Sequence, residues 1–588
     1  MSSLRQIVRF ARPYRWVVLL LIVTTILPVA MELIVPRQLQ LVVDEGIRAR
    51  NMDAILRGSM IMFATALIGA LATLGQGYCR AGFSQGLAYD MRNALFGHIQ
   101  AFSFGNLDHL QTGQLMTRVS SDVDVVRMFS SNGLSLLLRA VLMVAGSLVM
   151  VIVTDWQLAL VMVSVLAVAG VLIAALMRAA RPIFATVQQK LADLNTIVQE
   201  NLAGVQVVKA FVREPYENER FEESSVRFME ENIKVGRLMA VALPVLTLLT
   251  NIGIVAVLWL GGIDVIGGRL SLGQLIAFNS YLMIGMTPLL LLGNILTMVS
   301  RAEASAERVL EVLATEPLIR TAPDARPLPP AAGRVTFDQV SFQYNSRGGR
   351  VLDGVTFEVP SGGHVALLGA TGAGKSSLVN LIPRFYDVTG GSIRIDGIDV
   401  RELDLGQLRS RIGTVLQETT LFSGTIRENI AYGRPEATSE EVIAAAKAAQ
   451  VHDFIMAMPG GYQATVEAGG ANLSGGQRQR IAIARALLVE PDILILDDST
   501  SAVDLETEGR IQDALETLMD GRTTFVVAQR ISSVLAADQI LVLDDGRVAA
   551  RGNHAELLAT SPIYREIYQS QLGGIAEPDL IGEPGGGE

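Results

Sequence analysis

The sequence predicts a two-part chain, an all-α membrane domain of six helical spans followed by an α/β domain, and three observations predict it. Half of the 588 residues are hydrophobic and the mean hydropathy is +0.39, too long for one domain and too apolar for an ordinary soluble protein. The long stretches almost free of charge all lie in the first 300 residues. In the second half, the apolar run His364–Leu368 leads into a glycine-rich loop and then an apolar helix, the order found in a doubly wound sheet. The net charge of -10 leaves no basic footprint, which excludes nucleic acid as a partner and leaves lipid, small molecules and other protein. Cys79 is the single cysteine, so an intrachain disulfide and a cysteine metal site are excluded; it reads as a small apolar residue near a helix end.

The first part spans residues 1–318, with stretches almost free of charge at 16–35, 58–79, 134–154, 156–177, 238–263 and 272–299. Each is long enough to cross a hydrocarbon core of about 30 Å at about 1.5 Å per residue. Six spans put both termini on one side of the membrane. Arg5, Arg9, Arg12 and Arg15 precede the first span with no acid among them, which favours a cytoplasmic N-terminus. Arg37, Arg48 and Arg50 fall in the first outer loop against that rule, although Asp44, Glu45 and Asp53 share it. A cleaved leader over 1–35 is the competing reading, made unattractive by five further spans. Asp155 and Trp156 form an interface-like turn between the third and fourth spans, whereas 80–133 and 178–237 are long, polar and helix-prone, predicting helices that continue past the membrane. Pro28, Pro244 and Pro288 lie inside spans and could kink them. Glu32 is an acid within an apolar span, a functional candidate by default, and near the outer end it is expected to reach water.

Residues 319–333 form a linker whose Pro- and Ala-rich run, TAPDARPLPPAAG, cannot continue a helix far. The α/β domain occupies 334–574, and 575–588, Gly-rich and acidic, reads as a disordered tail.

Gly369-Ala-Thr-Gly372-Ala-Gly374-Lys375-Ser376-Ser377 is a phosphate-binding loop between strand and helix. Its glycines let backbone N–H groups face the phosphates of ATP, Lys375 neutralises β- and γ-phosphate charge, and the Ser376 hydroxyl suits Mg²⁺. Ile493-Leu-Ile-Leu-Asp497 is a buried strand ending in an acid, and the carboxyl end of such a strand faces the ligand crevice, where Asp497 reaches the metal. Leu473-Ser474-Gly475-Gly476-Gln477-Arg-Gln-Arg480 sets a serine and two glycines at the start of a helix, a place for a terminal phosphate. The same residues also suit a capped helix with no ligand.

This last run closely resembles the signature motif of the ABC ATPases, and the whole plan resembles an ABC exporter half-transporter. The resemblance implies an ATPase domain with a small antiparallel β subdomain and a helical subdomain, in the bacterial inner membrane with the ATPase domain cytoplasmic. It implies a dimer in which each ATP is held between one chain's P-loop and the other's signature, so Ser474, Gly475, Gly476 and Gln477 would face the partner's nucleotide. By the same resemblance Tyr344 in Val340-Ser-Phe-Gln-Tyr344 would stack on adenine, Gln417 in Val415-Leu-Gln417-Glu would sense Mg²⁺ and the membrane helices, and Asp504 in Ser501-Ala-Val-Asp504 would speak to the opposite site.

Two departures concern hydrolysis. Where such proteins carry Glu as general base, this chain has Asp498, shorter by one methylene, so its carboxylate stands back by roughly 1–1.5 Å from a proton it must approach to about 3 Å. Where they carry a switch histidine, it has Gln529, and its histidines lie at 98, 109, 364, 452 and 554. Gln529 can bond a phosphate oxygen but supplies no titratable imidazole. A third departure is Val466-Glu-Ala-Gly-Gly470 where the family often has a Val-Gly-Glu-Arg-Gly run, so the resemblance does not carry over the cross-talk ascribed to that run's acid. Resemblance to exporters with one degenerate site then implies a heterodimer, with a second half-transporter chain bearing intact Glu and His. A slow homodimer and a nucleotide-regulated, channel-like protein are the alternatives. The cargo is expected to be a hydrophobic small molecule, lipid or peptide.

Overall fold

The computed structural model describes residues 2–329, 333–344, 349–417, 419–497, 519, 521–528, 531–535 and 537–572. The expected base Asp498, the inter-site Asp504, Gln529 and the tail 575–588 lie outside the described residues. The chain divides into two compact units, residues 1–100 with 112–315, and residues 101–111 with 316–588.

The first unit is helical. A short α1 (Ser2–Ala11) precedes α2 (Arg15–Leu41) and the 49-residue α3 (Met52–Gln100). Helix α4 (Phe104–His109) belongs to the second unit. Helices α5 (Thr112–Thr117), α6 (Val123–Met128) and α7 (Leu134–Thr154) run on through two π-helical turns, followed by α8 (Trp156–Ala203), α9 (Val205–Ala210), the 53-residue α10 (Glu214–Ile266) and α11 (Leu272–Ala314). Five segments, Ser3–Ile47, Met52–Gln100, Thr112–Thr154, Trp156–Ala203 and Glu214–Ile266, are long and apolar enough to cross a membrane among the described residues. The sixth expected span, 272–299, lies within the continuous 43-residue α11 and is not one of the five.

Local chemistry explains the tight turn between α7 and α8. Asp155 adopts extended backbone and its carboxylate accepts from the Gln157 and Leu158 N–H groups at 2.8 and 3.0 Å, capping α8 where the chain has no room for a loop. Pro28, Pro244 and Pro288 sit inside α2, α10 and α11 without ending them. Phe278, Tyr281 and Leu282 of α11 pack with Met162 of α8 and Val257 of α10 in the core of this unit, and the Tyr281 hydroxyl donates to the Leu33 carbonyl at 3.0 Å. Glu32 has a partner that the sequence did not indicate: its carboxylate, 39% exposed, accepts from Arg139 of α7 at 2.9 Å.

The second unit is built on two larger sheets and a two-stranded antiparallel ribbon of β7 (Gly424–Thr425) and β8 (Thr465–Val466). Strands β1 (Val335–Phe342), β2 (Leu352–Val359), β4 (Gly390–Ile395) and β5 (Ile398–Asp399) form an antiparallel sheet in the order β2-β1-β4-β5. The other sheet has the order β12-β11-β3-β10-β9-β6, with β3 (His364–Leu368), β6 (Ile412–Val415), β9 (Ile493–Asp497), β10 (Thr523–Val527) and β11 (Gln539–Asp544) parallel and only β12 (Arg547–Gly552) antiparallel. Every residue of β9 is buried, the continuous apolar run that a strand covered on both faces requires. Between β6 and β9 lie α14 (Ile426–Ile430), α15 (Ser439–Ala448), α16 (His452–Ala457) and α17 (Gly475–Leu488), while α12 (Lys375–Leu381) follows β3 and α13 (Leu405–Ser410) precedes β6.

Candidate ATP site

Central strands β3 and β9, both paired to β10, end at the same edge of the sheet, and this register brings the two phosphate-directed motifs together. After Leu368 the chain must turn from strand to helix without side chains in the way. Gly369 has φ +152°, and a Cβ there would stand 2.3 Å from the Leu543 carbonyl oxygen. Gly374 has φ +95° and caps α12 in the left-handed region, with the Val351 carbonyl oxygen 2.9 Å from where a Cβ would be. Both positions therefore need glycine. Gly372 is also left-handed, at φ +88°.

Lys375 opens α12 with its side chain folded back into the loop: Nζ donates to the Gly369 and Ala370 carbonyls at 2.8 and 2.9 Å. The residue is buried, so its ammonium is held by backbone dipoles in the concavity the loop encloses, and incoming phosphate oxygens would compete for the same donors. The Ser376 hydroxyl donates to Asp497 Oδ1 at 3.1 Å, joining residues 121 apart in sequence. Mg²⁺ binds one or two carboxylates together with substrate phosphates and water, so this hydroxyl–carboxylate pair fits the ion as a donor set. Gln417, the third expected contributor, stands exposed just beyond β6.

Tyr344 lies past β1, 44 % exposed, and its hydroxyl pairs with Ser377 Oγ at 2.7 Å. Edge-on contacts with Phe342 and Tyr386 at 4.9 and 5.1 Å fix the ring, so an aromatic face is presented next to the loop's helix. The signature residues lie apart from this cluster. Ser474 caps α17: its hydroxyl accepts from the Gln477 N–H at 3.3 Å, and the Gln477 side chain accepts from the Ser474 N–H at 2.8 Å. Ser474 and Gly475 are exposed, Gly476 is buried, and a Cβ on Gly475 would meet nothing within 4 Å. Helix α12 packs with Leu367 and Phe525, whereas α17 packs with Ile426, Val442 and Ile455 in a separate core. Three of the histidines are engaged elsewhere, His98 with the Thr315 carbonyl, His452 with Tyr462 and His554 with Tyr564.

One functional feature escapes sequence reasoning. Helix α4, from the stretch between two long helices of the first unit, belongs to the second, where Asn106 is buried and Phe104 and Asp108 stay exposed at its surface. Its Phe104 ring lies 4.6 Å from Phe385, and Asp108 Oδ2 accepts from the Tyr386 hydroxyl at 2.9 Å. Burial, reinforced by the Asp108 carboxylate, raises the Tyr386 hydroxyl well above the usual tyrosine range. Asn106 donates to the Glu316 carbonyl and accepts from the Leu318 N–H, both at 3.0 Å. The sequence signal is the reciprocal cap Ser103-Phe-Gly-Asn106, which marks a separate short helix and not its docking place.

Comparison with known proteins bears on these motifs. Residues 18–289 match the ABC transporter transmembrane region and residues 352–501 the ABC transporter domain. The chain is 40% identical over 584 residues, 99% of each chain, to the ABC transporter ATP-binding protein YknU of Bacillus subtilis. It is 37% identical over 487 residues to an ATP-dependent lipid A-core flippase of Desulfotalea psychrophila, covering 83% of this chain and 85% of that protein. The structure of a bacterial Atm1-family ABC exporter with ATP bound superposes with a TM-score of 0.80 at 28% identity, over 96% of this chain and 99% of the other. The chain thus belongs to the ABC transporter family, as a multi-pass inner-membrane exporter whose helical membrane region is fused to a cytoplasmic ATPase domain that couples ATP hydrolysis to transport.

Proposed function

We propose that this chain is one half of a heterodimeric exporter, holding ATP at its own site with little hydrolysis and completing the hydrolytic site of a different chain. The observation that carries this is a mismatch within one domain. Lys375, Ser376 and Asp497 are arranged to bind a nucleotide and Mg²⁺, while the positions for base and switch hold Asp498 and Gln529. A shortened base costs hydrolysis and spares binding, since the loop's donors do not depend on it. Ser474 and Gly475, exposed at the start of α17, serve the partner's nucleotide together with the half-buried Gln477 and the buried Gly476; Tyr344 stacks on adenine, Gln417 joins Ser376 and Asp497 at the metal, and Asp504 links the two sites. The membrane domain, 1–318, contributes six spans, the sixth within α11, and passes through the linker 319–333 to the ATPase domain, 334–574. Two copies of the nucleotide close the paired ATPase domains, and differential binding to the closed state drives the membrane part outward-facing. The flippase relative supports an amphiphilic or lipid-like cargo.

The test is ATP turnover of the purified chain alone and with its partner, with and without Asp498→Glu plus Gln529→His. The chain alone is expected to turn over about 10²-fold more slowly than the pair, and the double substitution to recover most of that difference. Brisk hydrolysis by the wild-type chain alone would overturn the asymmetry in favour of a homodimeric pump.

A further inference from the structure

Residues 2–16 form a two-faced segment outside the ATP-site motifs. On one face, Ile7 is buried at 4% exposure and Leu4 and Phe10 are half-buried, and α1 packs against α3 and α11. On the other, Arg5, Arg9 and Arg12 follow the i, i+4, i+7 spacing that aligns side chains along a helix, and Arg15 continues the series where α2 begins. All four arginines are exposed, and none is in an ion pair among the described residues. Glu303 of α11 is engaged with the backbone of α1, accepting from the Ser3 and Leu4 N–H groups at 3.1 and 3.3 Å. Glu303 thereby caps α1 and fixes it on α11, so the arginine face is held in one orientation. Trp16, 70% exposed, stands at the start of the first span with the Arg15 guanidinium 5.7 Å from its ring centre.

We propose that residues 2–16 are a binding surface for anionic phospholipids of the cytoplasmic leaflet. A basic amphipathic helix beside a span, with an interfacial tryptophan at its end, is the arrangement that an anionic headgroup layer recognises, by charge and by apolar insertion together. Unpaired guanidinium groups on a face clamped by Glu303 lose little entropy in binding phosphate oxygens. The surface is independent of which ATP site hydrolyses.

The test uses the full chain in bilayers, with Trp156→Phe and Trp259→Phe leaving Trp16 as the only tryptophan. Quenching of Trp16 is compared between brominated phosphatidylglycerol and brominated phosphatidylcholine. Each arginine near the surface contributes up to about fivefold, so a preference of at least about fivefold for the anionic lipid is expected. It should fall to below about twofold when Arg5, Arg9, Arg12 and Arg15 are changed to Gln, survive their change to Lys, and shrink in high salt. Equal quenching by the two lipids in the parent protein overturns the proposal. So does a full preference in the Gln variant, or its loss on adding millimolar inorganic phosphate, which would mark a site for free phosphate.

Discussion

The phosphate-binding loop and the start of the signature helix both combine glycines with a nearby serine, yet the structure treats them in opposite ways. The loop is built inward: Gly369 and Gly374 adopt backbone that other residues avoid, carbonyls crowd them, and Lys375 is buried with its ammonium on the loop's own oxygens. The signature faces out, with Gly475 in open space and Ser474 occupied in a reciprocal cap. A strained, enclosed turn is specified by what it must hold, and an exposed helix start is specified by what approaches it. The first is complete within the chain as a cradle, whereas the second is the part that, in the function proposed above, meets a surface from another molecule.

Exchanging single residues between these two behaviours is the sharpest way to break the comparison. Lys375→Ala should weaken ATP binding at this chain's own site about 10²-fold, measured with a fluorescent nucleotide analogue, whereas Ser474→Ala should leave that affinity within about twofold and lower turnover of the assembled pair about 10²-fold. If Ser474→Ala weakens the chain's own nucleotide as strongly as Lys375→Ala does, the division of labour is wrong. Ser376→Ala removes the hydroxyl beside Asp497 and should raise the Mg²⁺ concentration needed for tight ATP binding about tenfold, visible in a metal titration. Gly374→Ala forces a side chain into the left-handed region against the Val351 carbonyl and should cost about 1–3 kcal/mol, whereas Gly475→Ala should change thermal stability by no more than about 0.5 kcal/mol; equal melting shifts would mean the loop is not held as tightly as its glycines indicate. A modest effect is expected from Tyr386→Phe, which removes the hydrogen bond to Asp108 and keeps the ring, at about 1 kcal/mol in denaturant unfolding of the second unit.

The cradle was legible because its parts are close in sequence and chemically unusual. Three glycines, a lysine and a serine within eight residues, flanked by a buried strand and an apolar helix, leave few other readings. The helical spans were legible for the same reason, and so was the turn at Asp155, where one carboxylate supplies the whole cap. What the sequence concealed were long-range pairings. Glu32 finds Arg139 at a separation of 107 residues, and α4 finds Tyr386 at 278. In each case the residues taken singly have several plausible neighbours, and only the fold chooses among them. Ser376 and Asp497 are also far apart, but each belongs to a motif that ends a parallel strand, so sheet topology supplies the pairing.

Helix α4 has a further consequence, in the timing of synthesis. Its docking partners Phe385 and Tyr386 are translated long after it, Tyr386 lying 278 residues beyond Asp108. At about 5–20 residues per second the ribosome needs roughly 14–56 s to cover that distance. Throughout that interval Phe104 has no Phe385 to pack against, and the spans on either side are inserted before the helix between them has a home. Folding of the second unit is then completed from a segment made early and kept waiting, so a chain cut at the linker would separate the late-made part from a helix that docks on it.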